Sequence, residues 1–195
     1  MRNLALAALG AAALAAPTMA SAQRVPGAVV AVVDTSRVYA ECTACRSAQT
    51  ALQGQVTALQ NRQRTLGQQL QTEGKPIQDA VNALGNKQPD AALQARVRAF
   101  QQKEQQANQE LQTGQQRIQS TQANVLRQIN ERLGPIITQA MTARGANIVV
   151  DKDQTLANGA GTDITADVLA RLNTALPSVS VTPLPQQPQQ QSQSR

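Results

Sequence analysis

Two cysteines, Cys42 and Cys45, are the residues with the most obvious chemical potential, and they lie three positions apart. In an exported protein a C-x-x-C pair can be a disulfide, half of a metal site or a redox pair. The chain has no other cysteine and no histidine, so a zinc site, a Ser-His-Asp triad and a Cys-His dyad are excluded. The pair opens a long helical segment rather than a βαβ unit, so we favour a local or inter-subunit disulfide over unpaired thiols or redox catalysis.

Basic side chains are the second such feature. Residues 37–144 carry 13 Lys plus Arg and seven Asp plus Glu, whereas residues 23–36 and 145–195 together have a net charge of −1. A basic region attracts acidic polypeptides, anionic lipid or lipopolysaccharide, although it can also be a solvated helix face. Because no aromatic platform accompanies the charges, we predict no nucleic-acid partner. The candidate binding residues are Arg62, Arg64, Lys75, Lys87, Arg96, Arg98 and Lys103.

The first 22 residues have the organisation of a secretory signal peptide. Arg2 precedes an apolar run over residues 4–16, and Ala20-Ser21-Ala22 forms the small-x-small pattern of a signal peptidase site. The apolar run is too short to cross the ~30 Å hydrocarbon core of a membrane as a helix. We therefore predict cleavage before Gln23 and export to a bacterial periplasm, with an uncleaved anchor as the alternative.

Two short β-branched segments bracket the rest of the chain. Residues 28–33 read AVVAVV, and residues 146–151 read ANIVVD. Continuous apolar runs of this length are typical of buried strands. Because the two segments flank everything between them, we expect them to pair with each other. A third short strand is expected over residues 155–157, and a helix over residues 166–173.

More than a hundred residues of helix-forming sequence separate the two strands. One heptad-spaced apolar stripe occupies positions 52, 56, 59, 66 and 70. A second occupies positions 93, 97, 100, 107, 111, 118 and 125, and continues at 129, 133 and 136 after a shift. Gly74, Pro76, Gly85, Asn86 and Pro89 lie between the stripes, so the chain should reverse within residues 74–90. The pattern predicts an antiparallel helical hairpin with arms on the order of 60 to 75 Å long.

The elements divide the chain into four parts. A signal peptide over residues 1–22 precedes a small head, made of residues 23–41 and 145–176. Residues 42–144 form the hairpin arm, and residues 177–195 form a disordered tail rich in Pro, Gln and Ser. A head of this size is close to the limit at which domains need oligomerisation to be stable. The candidate interface residues are the β-branched positions Val29, Val30, Val32, Ile148, Val149 and Val150.

The order of these segments resembles the Skp/OmpH family of periplasmic chaperones, and the resemblance covers roughly residues 28–173. It is carried by the signal peptide, the long Gln-rich hairpin and three short motifs. The motifs are Val32-Val33-Asp34 with Arg37-Val38, then Asn147-Ile148-Val149-Val150-Asp151, and finally the run DITADVL at residues 163–169. The closing order of Val-Val-Asp and Asp-Ile-Thr is the most specific part.

The resemblance implies an α+β fold, mostly α, in which a long antiparallel helical hairpin projects from a small β-rich trimerisation head. It implies a homotrimer whose arms hold unfolded outer-membrane proteins and prevent their aggregation. The family supplies no catalytic residue, metal or cofactor, and the sequence has no ATP-binding loop, so we expect a protein that is not an enzyme. The alternatives are a coiled-coil protein that bridges cell-envelope components and a thiol oxidoreductase acting through Cys42 and Cys45.

Overall fold

The computed structural model describes residues 27–184. The predicted signal peptide and residues 185–195 of the predicted tail lie outside the described residues. Within the described range, no helix is both long enough and apolar enough to cross a membrane. The elements are β1 (Val30–Val33), α1 (Thr35–Glu41), α2 (Thr43–Ala83), α3 (Ala91–Ala143), β2 (Ile148–Asp151), a 3₁₀ turn (Lys152–Gln154) and α4 (Thr165–Ala175). The fold class is the predicted one, since two long helices form a hairpin beside a small sheet.

The head is built on two parallel strands. β1 pairs with β2 from Val30 opposite Ile148 to Val33 opposite Asp151. On the other edge of β1, the Val32 N–H donates to the Thr162 carbonyl, and the Val32 carbonyl accepts from the Ile164 N–H, both at 2.8 Å. β1 is therefore the central strand of the head, with β2 on one edge and residues 162–164 on the other.

The third strand predicted over residues 155–157 does not form, so this prediction was wrong. The chain turns through the 3₁₀ segment directly after β2 and is irregular over those residues. The free edge of β1 is filled instead by an isolated bridge at Asp163. The β-branched character of Thr155 was a weaker signal than the turn residues around it, because local turns compete with strand formation in short segments.

Three aspartates, one from each of the three short motifs that carry the family resemblance, end the strand segments and cap the turns that follow. Asp34 Oδ1 accepts the Arg37 N–H at 2.8 Å at the start of α1, and Asp151 Oδ1 caps the 3₁₀ turn. Asp163 Oδ1 accepts the Thr165 N–H at 2.9 Å, and Thr165 Oγ1 accepts the Asp34 N–H at 2.9 Å. Among residues 27–184 no acidic cluster has the grouping needed to hold a metal ion. These aspartates therefore act as helix and turn caps.

One hydrophobic core joins the head to the base of the arm. Val38 of α1 and Val168 and Leu172 of α4 are completely buried, and they pack with Ala31 and Val33 of β1. The same core includes five residues of α3, which are Val125, Ile129, Leu133, Ile136 and Ala140. The last turns of α3 are therefore part of the head, and the arm is rigidly rooted in it.

The two arm helices pack on the predicted stripes. Leu66, Leu93 and Ala107 are buried, whereas most of the other outer stripe positions are only half-buried. Near the head, every apolar stripe position of α3 from Val125 to Ile136 is buried. The hairpin is thus held firmly at its base and loosely along its outer half.

The chain reverses over residues 84–90, within the predicted interval, but two of the five predicted breakers lie inside α2. Gly74 is covered by the Phe100 ring of α3, and a Cβ at Gly74 would stand 2.8 Å from Phe100 Cζ. This contact holds α2 against α3 close to Pro76, so tertiary packing overrides the local preference of proline. Gly85, with φ +55°, provides the left-handed residue that follows the end of α2.

The first eight residues of the predicted tail are ordered, so the prediction of disorder from Pro177 onward was wrong for them. Residues 177–184, here called the strap, run along the base of the arm. Val179 and Val181 of the strap pack against the hydrophobic core. Low apolar content suggested disorder, but polar side chains of the arm bind the strap backbone, which composition does not reveal.

A glycine substitution tests the Phe100 contact. We expect Gly74→Ala to destabilise the protein by about 1–3 kcal/mol, because the new methyl group displaces the ring. The matched control is Gly67→Ala, also within α2, where nothing lies within 4 Å of an added Cβ. This control should stabilise the protein by about 0.5–1 kcal/mol through helix propensity. Thermal unfolding by circular dichroism measures both, and equal effects would contradict the proposed packing.

The head contains an acid-sensitive contact at Asp163. The hydrogen bonds from Thr165, supported by Lys152 at 3.2 Å, keep the pKa of Asp163 below its ordinary value. The ionised Asp163 therefore stabilises the folded protein fully above the ordinary pKa of an aspartate. This stabilisation is lost as pH falls through the lowered pKa of the folded state. Asp163→Asn should lower the Tm by about 2–4 °C at neutral pH. The difference from the wild type should narrow as pH falls below the ordinary aspartate pKa of about 4, and calorimetry showing an unchanged gap would refute the contact.

Candidate functional site

Two of the seven predicted basic residues join the arm helices to each other. Arg62 of α2 donates two hydrogen bonds to the Glu110 carboxylate of α3, at 2.6 and 3.0 Å. Lys103 of α3 forms an ion pair with Glu73 of α2. The hydrogen bond from Arg62 lowers the pKa of Glu110, and the same bond raises the pKa of Arg62. Both pairs are solvent-exposed, so each adds little stability, but together they neutralise the middle of the arm.

Most of the predicted binding residues that keep an unpaired charge lie near the tip, which we define as residues 84–98. Lys75 is neutralised by Asp79 at 3.0 Å, one turn further along α2. Lys87 lies in the loop that reverses the chain, and Arg96 and Arg98 lie in the second turn of α3. Within residues 27–184, the predicted binding residues that form no ion pair are Arg64, Lys87, Arg96 and Arg98. All four are exposed.

The predicted interface residues of the head divide by exposure. Val30 and Ile148 are cross-strand neighbours and are 43% and 44% exposed, and Val29 beside them is 51% exposed. Val32 is only 3% exposed, and Val149 packs against the core of its own chain. The interface role predicted for Val32 does not fit this burial, whereas Val149 is only half-buried and stays an interface prediction. Val29, Val30, Ile148 and the half-buried Val150 stay as interface predictions.

Cys42 and Cys45 are joined by a disulfide at the root of α2. Cys42 leaves the helical conformation between α1 and α2, with ψ 137°, and its Sγ accepts the Cys45 N–H at 3.0 Å as the N-cap of α2. Both residues are buried, Cys42 completely and Cys45 to 7% exposure. A buried sulfur is poorly accessible to an attacking thiolate, so the disulfide is placed to fix the join between head and arm.

Polar side chains of the arm bind the backbone of the strap. Gln128 brackets Ser180, since its Nε2 donates to the Ser180 carbonyl at 3.0 Å and its Oε1 accepts the Ser180 N–H at 2.9 Å. Gln55 of α2 and Asn124 of α3 donate to the next two strap carbonyls, at 3.1 and 2.9 Å. The last N–H of the strap donates to the Ser120 hydroxyl at 3.0 Å. The site lies between α2 and α3 near the head.

Sequence reasoning did not find these four residues. The only available signal was the spacing of Ser120, Asn124 and Gln128, which places three polar side chains on one face of α3 at intervals of one turn. In a chain with 31 glutamines such a pattern has little specificity. Their role became clear only when the structure placed residues 177–184 beside them.

Besides the strap site, a groove lies between α2 and α3, next to α1. It has a volume of about 710 Å³ and is lined largely by apolar side chains, among them Leu52, Val56 and Leu126. Leu126 is 45% exposed. Tyr39 borders the groove and hydrogen-bonds to Asn130, and burial raises the pKa of its hydroxyl. The base of the arm therefore presents an apolar surface as well as a polar one.

Comparison with known proteins relates this arrangement to one family. Residues 29–172 match the family described as outer membrane protein (OmpH-like). Among solved structures, a chain described as an outer membrane chaperone (OmpH-like) from Caulobacter crescentus is similar, with a TM-score of 0.69 and 17% identity. The match covers 86% of this chain and 96% of that one, and at this identity it shows a shared fold alone. No curated protein matches the chain.

Proposed function

The chain belongs to the OmpH-like (Skp/OmpH) family, and on this basis we propose that it is a periplasmic holdase chaperone for unfolded outer-membrane proteins. It would keep these clients from aggregating in transit to the outer membrane, without ATP. The observation that carries the proposal is the hairpin, whose helices of 41 and 53 residues extend beyond the core that roots them. The outer arm lies beyond this core, so its surface is available to a partner.

The chemistry of that surface suits an unfolded β-barrel precursor. Such a precursor exposes apolar side chains at alternate positions and has unpaired strand edges, both of which promote aggregation. Many precursors are acidic, so the unpaired cations near the tip would attract them over a Debye length of ~8–10 Å. Half-buried stripe residues and the apolar groove at the base would then add many weak contacts. Such contacts retain a chain without imposing a structure on it, and they require no nucleotide.

We further propose that the protein acts as a homotrimer assembled through the head. Support comes from Val30 and Ile148, which form an exposed apolar pair on the sheet face that is turned away from α1 and α4. An exposed pair of this kind on so small a head is typical of a subunit interface. The number of subunits follows from the family resemblance. Arms from several subunits would surround a client that no single arm could enclose.

The disulfide supports a structural role for the cysteines in this proposal. Its sulfurs are buried at the root of the arm, where a redox partner has poor access. Anionic lipid or lipopolysaccharide is an additional candidate ligand of the same tip cations, because its phosphate groups pair with Lys and Arg. We propose no enzymatic activity.

Removing the tip charge tests how the client is attracted. We expect Lys87→Gln/Arg96→Gln/Arg98→Gln to raise the protein concentration needed for half-maximal protection about tenfold at low salt, because three unpaired cations are lost. The assay is light scattering after a urea-unfolded outer-membrane β-barrel protein is diluted into buffer. High salt should weaken the wild type and leave the variant nearly unchanged.

The matched control removes the same charge from the base of the arm. Arg46, Arg117 and Arg132 are exposed and form no ion pair with any residue in 27–184. Substituting all three by Gln should leave protection within about twofold of the wild type, since the steering charge near the tip is intact. If the wild-type oligomer is folded but aggregation proceeds unchanged, the holdase proposal fails. Bridging of cell-envelope components would then be the function to test.

The cysteines provide a separate test. Cys42→Ser should cost about 2 kcal/mol of stability, because a short disulfide loop restricts the unfolded chain. Client protection per folded molecule should survive, since both cysteines are buried at the root of the arm. Cys42→Ser/Cys45→Ser controls for the thiol left free in the single variant. Loss of protection in a folded double variant, together with disulfide-exchange activity in the wild type, would indicate an oxidoreductase instead.

A further inference from the structure

The hydrogen bonds that hold the strap do not depend on the identity of its side chains. Gln55, Asn124 and Gln128 all bind main-chain groups of the strap, and Ser120 accepts a main-chain N–H. Side-chain amides that pair with a peptide backbone can accept any extended segment whose backbone is free. The geometry therefore describes a surface for an extended polypeptide in general, of which the strap is one example.

The side chains of the strap have the pattern of a half-buried strand. Val179 and Val181 are partly buried against the core, whereas Ser180 and Thr182 between and after them are exposed. This alternation has the period of two that places successive side chains on opposite sides of an extended chain. Strands of outer-membrane barrels show the same alternation of apolar and polar positions. The strap thus has the chemistry of a short client segment.

The head is complete without the strap. Leu176, at the end of α4, donates its N–H to the Leu172 carbonyl at 2.8 Å and is itself buried. Beyond it, residues 177–184 form no backbone–backbone hydrogen bond with any other part of the described chain. Although Val179 and Val181 pack on the outside of the core, a segment without backbone hydrogen bonds to the rest of the fold opens more readily than a sheet segment. Displacing the strap would therefore leave the sheet and the core intact.

We propose that the surface formed by Gln55, Ser120, Asn124 and Gln128 binds extended client segments with alternating apolar residues, and that the strap competes with them as an internal occupant. This inference rests on the proposed function and specifies which client segments the base of the arm takes. A covalently attached competitor is present at a high effective concentration. The apparent affinity for any client is therefore the intrinsic affinity multiplied by the fraction of time that the surface is free of the strap. Short or weakly matching segments are thereby excluded.

Hydrogen exchange on the full chain tests the competition directly. The N–H groups of Ser180 and Leu184 are protected by Gln128 and Ser120. Addition of a urea-unfolded outer-membrane β-barrel protein should accelerate exchange at both positions about tenfold. The N–H of Ile164, which is bonded inside the head, should stay protected. If the client binds while Ser180 and Leu184 keep their protection, the proposal is wrong.

A proline substitution releases the strap without altering the arm. Ser180→Pro removes the N–H that Gln128 accepts. Ser178→Pro is the matched control, because Ser178 is exposed and forms no side-chain hydrogen bond with the rest of the described chain. We expect Ser180→Pro to bind the unfolded barrel protein about fivefold more tightly than the wild type, since the loss of one hydrogen bond weakens the competitor by roughly that factor. Ser178→Pro should match the wild type. Equal affinities of all three folded proteins would overturn the competition.

A labelled peptide with the sequence of residues 177–184 separates this inference from the holdase proposal. It should bind the Ser180→Pro chain about fivefold more tightly than the wild type, measured by fluorescence anisotropy. If this holds while aggregation of barrel proteins is not suppressed, the surface exists and the holdase proposal fails. If aggregation is suppressed but the peptide binds neither chain, or binds both equally, the holdase proposal stands and this inference fails.

Discussion

The architecture depends on the parallel pairing of β1 with β2. Parallel strands cannot be joined by a tight turn and need a long crossover connection. Here the crossover consists of the entire arm, because α2 leaves the head after β1 and α3 returns to it before β2. The register of Val30 opposite Ile148 fixes where α3 must end. Because the two helices of the crossover pack against each other, the crossover can be long without affecting the sheet. The length of the arm can therefore be set by what its surface binds.

Side-chain amides perform at both ends of the described chain a task usually performed by neighbouring strands. Asn147 accepts the Val29 N–H and donates to the Gly27 carbonyl, each at 2.8 Å, and Gln128 brackets Ser180 in the same way. An amide side chain carries a donor and an acceptor side by side, so it satisfies an extended backbone as an adjacent strand would. This explains how a chain with few apolar residues orders its strap, and why composition alone suggested disorder.

Features set by local periodicity were predictable from the sequence, as was the pairing of the two strands that flank the arm, whereas side-chain contacts between distant residues were not. The two strands and the helical stripes have spacings of two to seven residues, and the structure places them as predicted. The Arg62–Glu110 pair joins residues 48 positions apart, so it follows only from the register of the hairpin. The same is true of Phe100 over Gly74, which kept α2 continuous where a break was expected. The strap contacts join positions that are still farther apart. The candidate basic residues could be located from the sequence, but which of them form ion pairs could not.

The low apolar content that limits the core also shapes the arm. Near the head, consecutive stripe positions of α3 from Val125 to Ala140 are buried, so this part unfolds only with the whole domain. Toward the tip the stripe is half-buried and interrupted by amides, and weak exposed ion pairs link the helices. Local stability must therefore fall from base to tip. A surface that retains many different unfolded chains benefits from this gradient, because a loosely packed tip can adjust to each client while the base keeps the arm attached to the head.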